Sequence, residues 1–187
     1  MELVKTAIPG VLVLRPPRFA DPRGFFSETF RLSWMSEAGL PTSWVQDNHS
    51  LSAAVGTVRG LHFQVPPRAQ DKLVRVTRGS VLDVAVDLRR GSPTFGRHVA
   101  VVLSAANWEQ VFIPHGFAHG YCSLEPDAEV VYKVSDYYSP EHDRGLLWND
   151  PALGIEWPVP AEAALVSERD RHHPPLAALR DYFVMEG

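Results

Sequence analysis

A mainly β fold, a sandwich or barrel, is predicted by three features of this sequence. Short apolar, β-branched runs recur with turn residues between them, whereas helical periodicity is scarce. Sixteen prolines in 187 residues exceed the ~5% usual for globular proteins. They are spread along the chain, so they punctuate many short segments rather than form a linker. The length and the 20.8 kDa mass suit one domain, residues 1–187. Eighteen basic against 22 acidic residues leave a net charge of −4, with no basic surplus to suggest nucleic acid as a partner. No apolar stretch is long enough to span a membrane. Met1-Glu2-Leu3-Val4-Lys5 leads into no signal-peptide core, so a cytoplasmic protein is expected. A single cysteine, Cys122, excludes an internal disulfide framework and a Cys-based zinc site.

Taken in order, the first strand expected is Val11–Leu14, and Phe25–Phe30 follows the turn residues Asp21-Pro22-Arg23-Gly24. Arg31–Ala38 reads as a short helix stopped by Gly39, with Pro41 beyond. Val45–Leu51, Leu73–Val76 and Val81–Val86 have strand length and composition, and Arg89-Arg90-Gly91-Ser92-Pro93 breaks the run. Val99–Leu103, Gln110–Ile113 and Val130–Val134 complete the predicted strands, and Leu176–Asp181, after two prolines, reads as a second short helix. Residues 158–187 mix proline and charge. Leu165, Leu176, Leu179, Tyr182 and Phe183 supply apolar anchors there, so a docked C-terminal extension is expected.

Polar chemistry concentrates in two segments. One holds Gln46-Asp47-Asn48, Arg59-Gly60-Leu61-His62-Phe63-Gln64 and Gln70-Asp71-Lys72; the other is Pro114-His115-Gly116-Phe117-Ala118-His119-Gly120. Gly56, five residues, then His62, with Gly79 closing, resembles the first motif of the cupin superfamily, and Pro114-x-Gly116-x-x-His119 resembles the second. Metal-binding cupins pair His-x-His with a glutamate and a second-motif histidine, a set suited to divalent cations. Here Gln64 replaces one histidine, Pro67-Arg68-Ala69 stands where the glutamate should fall, and Lys72 brings an ammonium. The expectation is therefore a site with no metal. His172-His173 has no third ligand close in sequence and reads as surface.

A histidine and a lysine without a metal suit proton abstraction beside a carbonyl. A histidine, unperturbed near ~6.5, is the side chain type fitted to take a weakly acidic C–H proton, a role open to His62, and Lys72 would balance a developing enolate oxygen. Alternation in Val130-Val131-Tyr132-Lys133-Val134 puts Tyr132 on a valine-lined face, a position open to a core tyrosine or to a proton donor. Arg59 and His62 are three apart, which sends them to opposite faces of a regular strand. Either a bulge intervenes or Arg59 precedes the strand.

Asp21-Pro22-Arg23-Gly24-Phe25-Phe26-x-Glu28, Gln46-x-Asn48-x-Ser50, Val58-Arg59-Gly60-Leu61-His62-x-Gln64, Lys72-Leu73-Val74-Arg75-Val76, Gly91-Ser92-Pro93-Thr94-Phe95-Gly96, Pro114-x-Gly116-Phe117-Ala118-His119-Gly120 and Ser167-x-x-Asp170 together resemble the dTDP-4-dehydrorhamnose 3,5-epimerase family. The blocks keep the family's order and run from Ile8 to about Asp170. The resemblance implies a cupin-type double-stranded β-helix, or jelly roll, with short peripheral helices. It further implies a homodimer without cofactor or metal, acting on dTDP-4-keto-6-deoxy-D-glucose in the route to dTDP-L-rhamnose. Carried over by position, His62 matches the base, Asp170 its supporting carboxylate, Lys72 the enolate stabiliser and Tyr132 the proton donor. His119 matches a sugar-pocket residue, Arg23 and Arg59 diphosphate contacts, and Glu28, Gln46, Asp47 and Asn48 nucleotide and sugar contacts; Phe26 is placed on the thymine. Asp143 stands where the family often has glutamate and Arg169 where it often has lysine; both are counted with the substrate contacts. A monofunctional C3- or C5-epimerase, or a silent sugar-nucleotide-binding cupin, shares most of these residues. A metal-dependent cupin oxygenase is disfavoured by Gln64 and Lys72.

Overall fold

A computed structural model describes residues 1–185. In chain order the strands are β1 Glu2–Lys5, β2 Leu12–Arg15, β3 Phe19–Asp21 and β4 Gly24–Phe26, followed by helix α1 Leu32–Glu37. Next come β5 Gln46–Ser52, β6 Thr57–Gln64, β7 Lys72–Arg78, β8 Ser80–Asp87, β9 Arg89–Arg90, β10 His98–Ser104, β11 Gln110–Ile113, β12 Phe117–Ser123 and β13 Ala128–Val134. The chain closes with β14 Asp143–Gly145, β15 Leu165–Val166, α2 Glu168–Arg171 and β16 Phe183–Val184.

Two antiparallel sheets carry the fold, in the strand orders β1-β2-β11-β7-β13-β5 and β10-β8-β12-β6-β14, with β15 added to β6 in parallel. Their facing sides share one core: Val74, Val76, Val111 and Val130 from the first sheet meet Val81, Ala85, Leu103, Phe117 and Tyr121 from the second. Burying a valine or leucine fully contributes about 1.5–3 kcal/mol, so this seam holds the two layers together. The result is the jelly roll that the resemblance implied.

The outer face of the second sheet is covered as well. Leu61, Phe63, Val84, Val86 and Ala118 pack with Leu146, Leu153 and Phe183, and Leu176, Leu179 and Tyr182 close over them. Strand β12 is consequently buried along its whole length, which explains why no polar–apolar alternation marks it. The segment from Pro158 supplies much of that cover, although Leu165 stays exposed on its strand. Glu186 and Gly187, which end the expected extension, lie outside the described residues.

Two expected elements are shorter than read. Phe25–Phe30 forms a strand only over β4, where it pairs with β3 around a turn in which Asp21 Oδ1 accepts the Arg23 N–H at 2.8 Å. Beyond it, Phe30 leaves the hairpin to pack near Met35 and Trp44. Leu176–Asp181 is a single 3-10 turn, Leu176–Ala178, with the Leu176 N–H donated to Asp150 Oδ2 at 2.7 Å; the chain then extends into β16. Helix α1 agrees with the expected span to within a residue at each end.

Candidate active site

A cavity of about 460 Å3 opens between the two sheets, lined from the first by Gln46, Asn48, Lys72 and Tyr132 and from the second by Arg59, His62, His119 and Asp143. Helix α2 closes one side with Arg169 and Asp170. The strand carrying His62 was not among those read from the sequence, because Gly60 interrupts it and its polar side chains point into a cavity rather than a core.

The same glycine settles the register of β6. His62 lies opposite His119 and Arg59 opposite Tyr121, so β6 advances three residues while β12 advances two. This bulge brings Arg59 and His62 to the same cavity. Gly60 has φ +124°, and a Cβ there would stand 2.6 Å from the Gly120 Cα. Both the backbone conformation and the close strand contact therefore require glycine.

His62 Nε2 lies 2.7 Å from Asp170 Oδ1, and the Gly60 N–H donates to Asp170 Oδ2 at 3.2 Å. The carboxylate is presented by the short helix α2, where Ser167 Oγ accepts the Asp170 N–H at 3.1 Å, as an N-cap does. Burial pushes the Asp170 carboxyl up, but the hydrogen bond and charge of His62, joined by the Gly60 N–H, outweigh it and hold the group below its ordinary value. An ionised Asp170 accepts the Nε2–H of a neutral His62, which leaves the Nδ1 lone pair as the basic nitrogen.

Lys72 is buried and donates from Nζ to the His62 carbonyl oxygen at 3.3 Å. Burial lowers its pKa to about 8, with Asp143 and Asp83 partly opposing. His119 Nε2 meets Asp83 Oδ2 at 2.9 Å, and both residues are buried. Burial outweighs the carboxylate and lowers the His119 pKa, so this second pair holds a neutral imidazole at the cavity wall.

The two cavity tyrosines differ. Tyr121 Oη shares a 2.6 Å hydrogen bond with Ser50 Oγ, and burial pushes its pKa up to about 12. Tyr132 is also raised, first by burial, and nothing among the described residues occupies its hydroxyl. Asp143 pairs with Arg169 at 2.5 Å and accepts from Tyr138 Oη at 3.1 Å, so the two family departures in sequence complement each other in space.

Gln64 is a clamp. Its Nε2 donates to the Arg68 and Tyr137 carbonyls at 2.6 and 3.2 Å, and its Oε1 accepts the Ser139 N–H at 2.7 Å. With that amide committed and the Lys72 ammonium alongside, the cupin ligand positions do not fit a cation.

Not every expected site residue reaches this cavity. Asp47 sits between Gln46 and Asn48 on β5 and faces the other side, pairing with Lys133 at 2.9 Å beside a second cavity of about 200 Å3. Arg23, Phe26 and Glu28 lie on or just after the β3–β4 hairpin, away from the lining. Phe26 is 68% exposed and the Arg23 side chain 90%. His173, read as surface, instead turns inward, its Nε2 3.4 Å from Asp170 Oδ1. Asp83, Ser50 and Tyr138 also serve the site; Asp83 was hidden inside an apolar run whose alternation does not reveal which face holds the cavity.

A family model described as dTDP-4-dehydrorhamnose 3,5-epimerase matches residues 5–178. A dTDP-4-dehydrorhamnose 3,5-epimerase of Sinorhizobium fredii is 53% identical over 179 residues, covering 96% of this chain and 91% of the relative. A dTDP-6-deoxy-D-glucose-3,5-epimerase of Legionella pneumophila, solved with dTDP-4-keto-L-rhamnose, superposes with a TM-score of 0.94 at 40% identity, covering 100% of this chain and 99% of that one. At 38% identity over 97% of this chain and 86% of the relative stands a dTDP-4-dehydrorhamnose 3-epimerase of Streptomyces niveus.

Proposed function

The chain belongs to the dTDP-4-dehydrorhamnose 3,5-epimerase family, and from that premise we infer that it inverts dTDP-4-keto-6-deoxy-D-glucose at C3 and C5, giving dTDP-4-keto-L-rhamnose on the route to dTDP-L-rhamnose. The observation that carries the reading is the His62–Asp170 pair, opening on a cavity that also holds Lys72 and Tyr132.

In this mechanism His62 Nδ1 takes the proton from a carbon beside the C4 ketone, and the electron pair moves onto the C4 oxygen as an enolate. Asp170 stabilises the imidazolium that forms, as carboxylates do in histidine pairs elsewhere. The buried Lys72 ammonium balances the enolate, a stabilisation worth several kcal/mol. Tyr132 returns a proton to the opposite face of the carbon. Arg59 and Arg169 supply cationic forks for the diphosphate.

The functional unit in this reading is a homodimer. The exposed β3–β4 hairpin of one copy brings Arg23, Phe26 and Glu28 to the cavity of the other. The exposure of Phe19, Phe25 and Phe26 on that hairpin supports a covered surface.

Turnover of the substrate in D2O tests the activity: deuterium should enter at both C3 and C5. Label at one carbon alone would move the chain to the monofunctional branch, to which the Streptomyces niveus relative points. The absence of any exchange would leave a binding protein.

A further inference from the structure

His173 has no place in the epimerisation just described, yet it is oriented as if it had a ligand. Its Nε2 is buried and makes no hydrogen bond among the described residues. An unpaired buried nitrogen is costly, and native structures rarely keep one without a reason. Room for its ring comes from Gly145, where a Cβ would stand 2.1 Å from that same Nε2. Gly145 is paired with His62 across β14 and β6, so the space is opened beside the dyad. The His62 and His173 rings meet edge to face, with centroids 5.7 Å apart.

Both imidazoles aim Nε2 at one carboxylate oxygen, Asp170 Oδ1, from 2.7 and 3.4 Å. One donor atom from each of the three residues lies within 4.8 Å of the other two. Around a tetrahedral zinc ion, donors about 2.0–2.2 Å from the metal are separated by about 3.3 Å. The His173–Asp170 span already has that value, and the His62–Asp170 span needs to open by about half an ångström to reach it. Two imidazoles and a carboxylate make a three-donor set of the kind zinc occupies.

We propose that His62, Asp170 and His173 capture a nitrogen-seeking divalent cation, Zn2+ foremost, and that its capture switches the enzyme off. This site is separate from the cupin ligand positions, of which it shares only His62. The neighbouring cations set its selectivity. Lys72 lies beside it, and Arg169 is held by Asp143. A hard ion such as Mg2+, bound mainly through charge and oxygen, is repelled there, whereas an ion that bonds strongly to imidazole compensates for the repulsion.

The blockade follows from tautomerism. A metal on His62 Nε2 needs that nitrogen's lone pair, so the Nε2 proton moves to Nδ1, with no net gain or loss of protons by the neutral ring. Nδ1 then carries a hydrogen and can no longer accept one from substrate. The blockade rests on the reading of His62 as the base, whereas the capture itself does not.

The test uses untagged, chelator-treated full-length protein with ZnCl2 as the probe. Calorimetry should find one bound zinc, and Co2+ in its place should give the intense visible absorption of a tetrahedral nitrogen–oxygen site. Solvent exchange into substrate should fall along the same titration and return on adding chelator. His173→Asn should weaken both zinc binding and zinc inhibition by at least about 10-fold, each measured against that variant's own zinc-free state. His172→Asn, on the exposed neighbour, should change neither. No zinc heat at millimolar concentration, or equal binding by His173→Asn, overturns the site. Zinc bound with full exchange overturns the blockade. If His62→Ala also retains exchange, the failure lies in the assignment of the base rather than in the site.

Discussion

Asp170 Oδ1 stands 2.7 Å from His62 Nε2 although the two residues are 108 positions apart in sequence. The contact ties the C-terminal segment to the central bulge of β6, so in the proposed mechanism that segment supplies the carboxylate of the proton-transfer pair. Asp170→Asn keeps the shape and removes the charge that selects the Nε2–H tautomer. We expect kcat to fall on the order of 10²–10⁴-fold, the upper figure being what the corresponding change costs a serine protease. KM should move little. A fall confined to KM in steady-state kinetics would remove Asp170 from the proton-transfer step.

In the proposed mechanism Lys72 gives the reaction an alkaline limit. Its ammonium is the active form, and burial places its pKa near 8, so kcat/KM should decline as pH rises through about 8. Lys72→Arg should abolish that limb, because guanidinium stays charged throughout, and Lys72→Met should lose roughly 10²–10³-fold in rate. Stability runs the other way. The unfolded lysine titrates at its ordinary value of 10.5, so between about 8 and 10.5 the unfolded chain binds the proton that the native state has released. The contribution of Lys72 to stability therefore rises with pH across that window. Lys72→Met should unfold in urea no earlier than the parent at pH 7; a clear loss of stability would mean the ammonium is better compensated than its burial implies.

Two glycines of the site should respond differently to alanine. At Gly60 the obstacles are backbone atoms, the Gly120 Cα at 2.6 Å and the His119 carbonyl oxygen at 2.8 Å, and φ is +124°. Gly60→Ala should lose about 3 kcal/mol or more, with no side-chain truncation restoring it. At Gly145 the obstacle is only the His173 ring. Gly145→Ala should lose about 1–3 kcal/mol, and adding His173→Ala should recover most of it. Equilibrium unfolding of the two single variants and the double variant decides the matter.

These glycines also mark the limit of what could be read from the chain. Strands β7, β11 and β13 of the first sheet were legible because Val74, Val76, Val111 and Val130 fill a core, and continuous β-branched runs signal that burial directly; β1, at the sheet's edge, was not read. Strands β6 and β12 were not, since Gly60, Gly120, His62 and His119 are chosen for close approach and chemistry rather than for strand propensity. Cavity-lining residues were legible where ordered motifs named them. Asp47 shows the remaining gap: one step along β5 reverses the face, and a motif does not say which of two adjacent polar residues points inward. The inward turn of His173 was invisible because it depends on space left by Gly145, a residue distant in sequence.

The proposed mechanism assigns Tyr132 the role of donor and leaves Tyr121 to the wall. Burial keeps both phenols protonated at neutral pH, and only Tyr121 has its hydroxyl engaged, by Ser50. Tyr132→Phe should leave His62-driven exchange of the substrate proton in D2O while cutting formation of the inverted product, by about 10²–10⁴-fold for loss of a positioned acid. A matched loss of exchange and product would instead place Tyr132 in substrate binding.

The hairpin and the cavity can be assigned to different copies by complementation. Arg23 is fully presented to solvent on the β3–β4 hairpin, held to Asp21 at 2.6 Å, while His62 lies in the cavity between the sheets. Arg23→Ala should raise KM by roughly 10-fold or more through a lost phosphate contact, and His62→Ala should abolish exchange. When the two variants are unfolded together and refolded, a mixed dimer in which the hairpin crosses to the other copy contains one site with both residues intact and one with neither. Half of its sites then recover parental KM and kcat. If each hairpin serves its own cavity, every site in the mixed dimer lacks one of the two residues, and no parental activity returns. Kinetics of the refolded mixture, with the mixed dimer isolated through a charge-tagged subunit, distinguish these outcomes, and the absence of recovery would end the crossed arrangement.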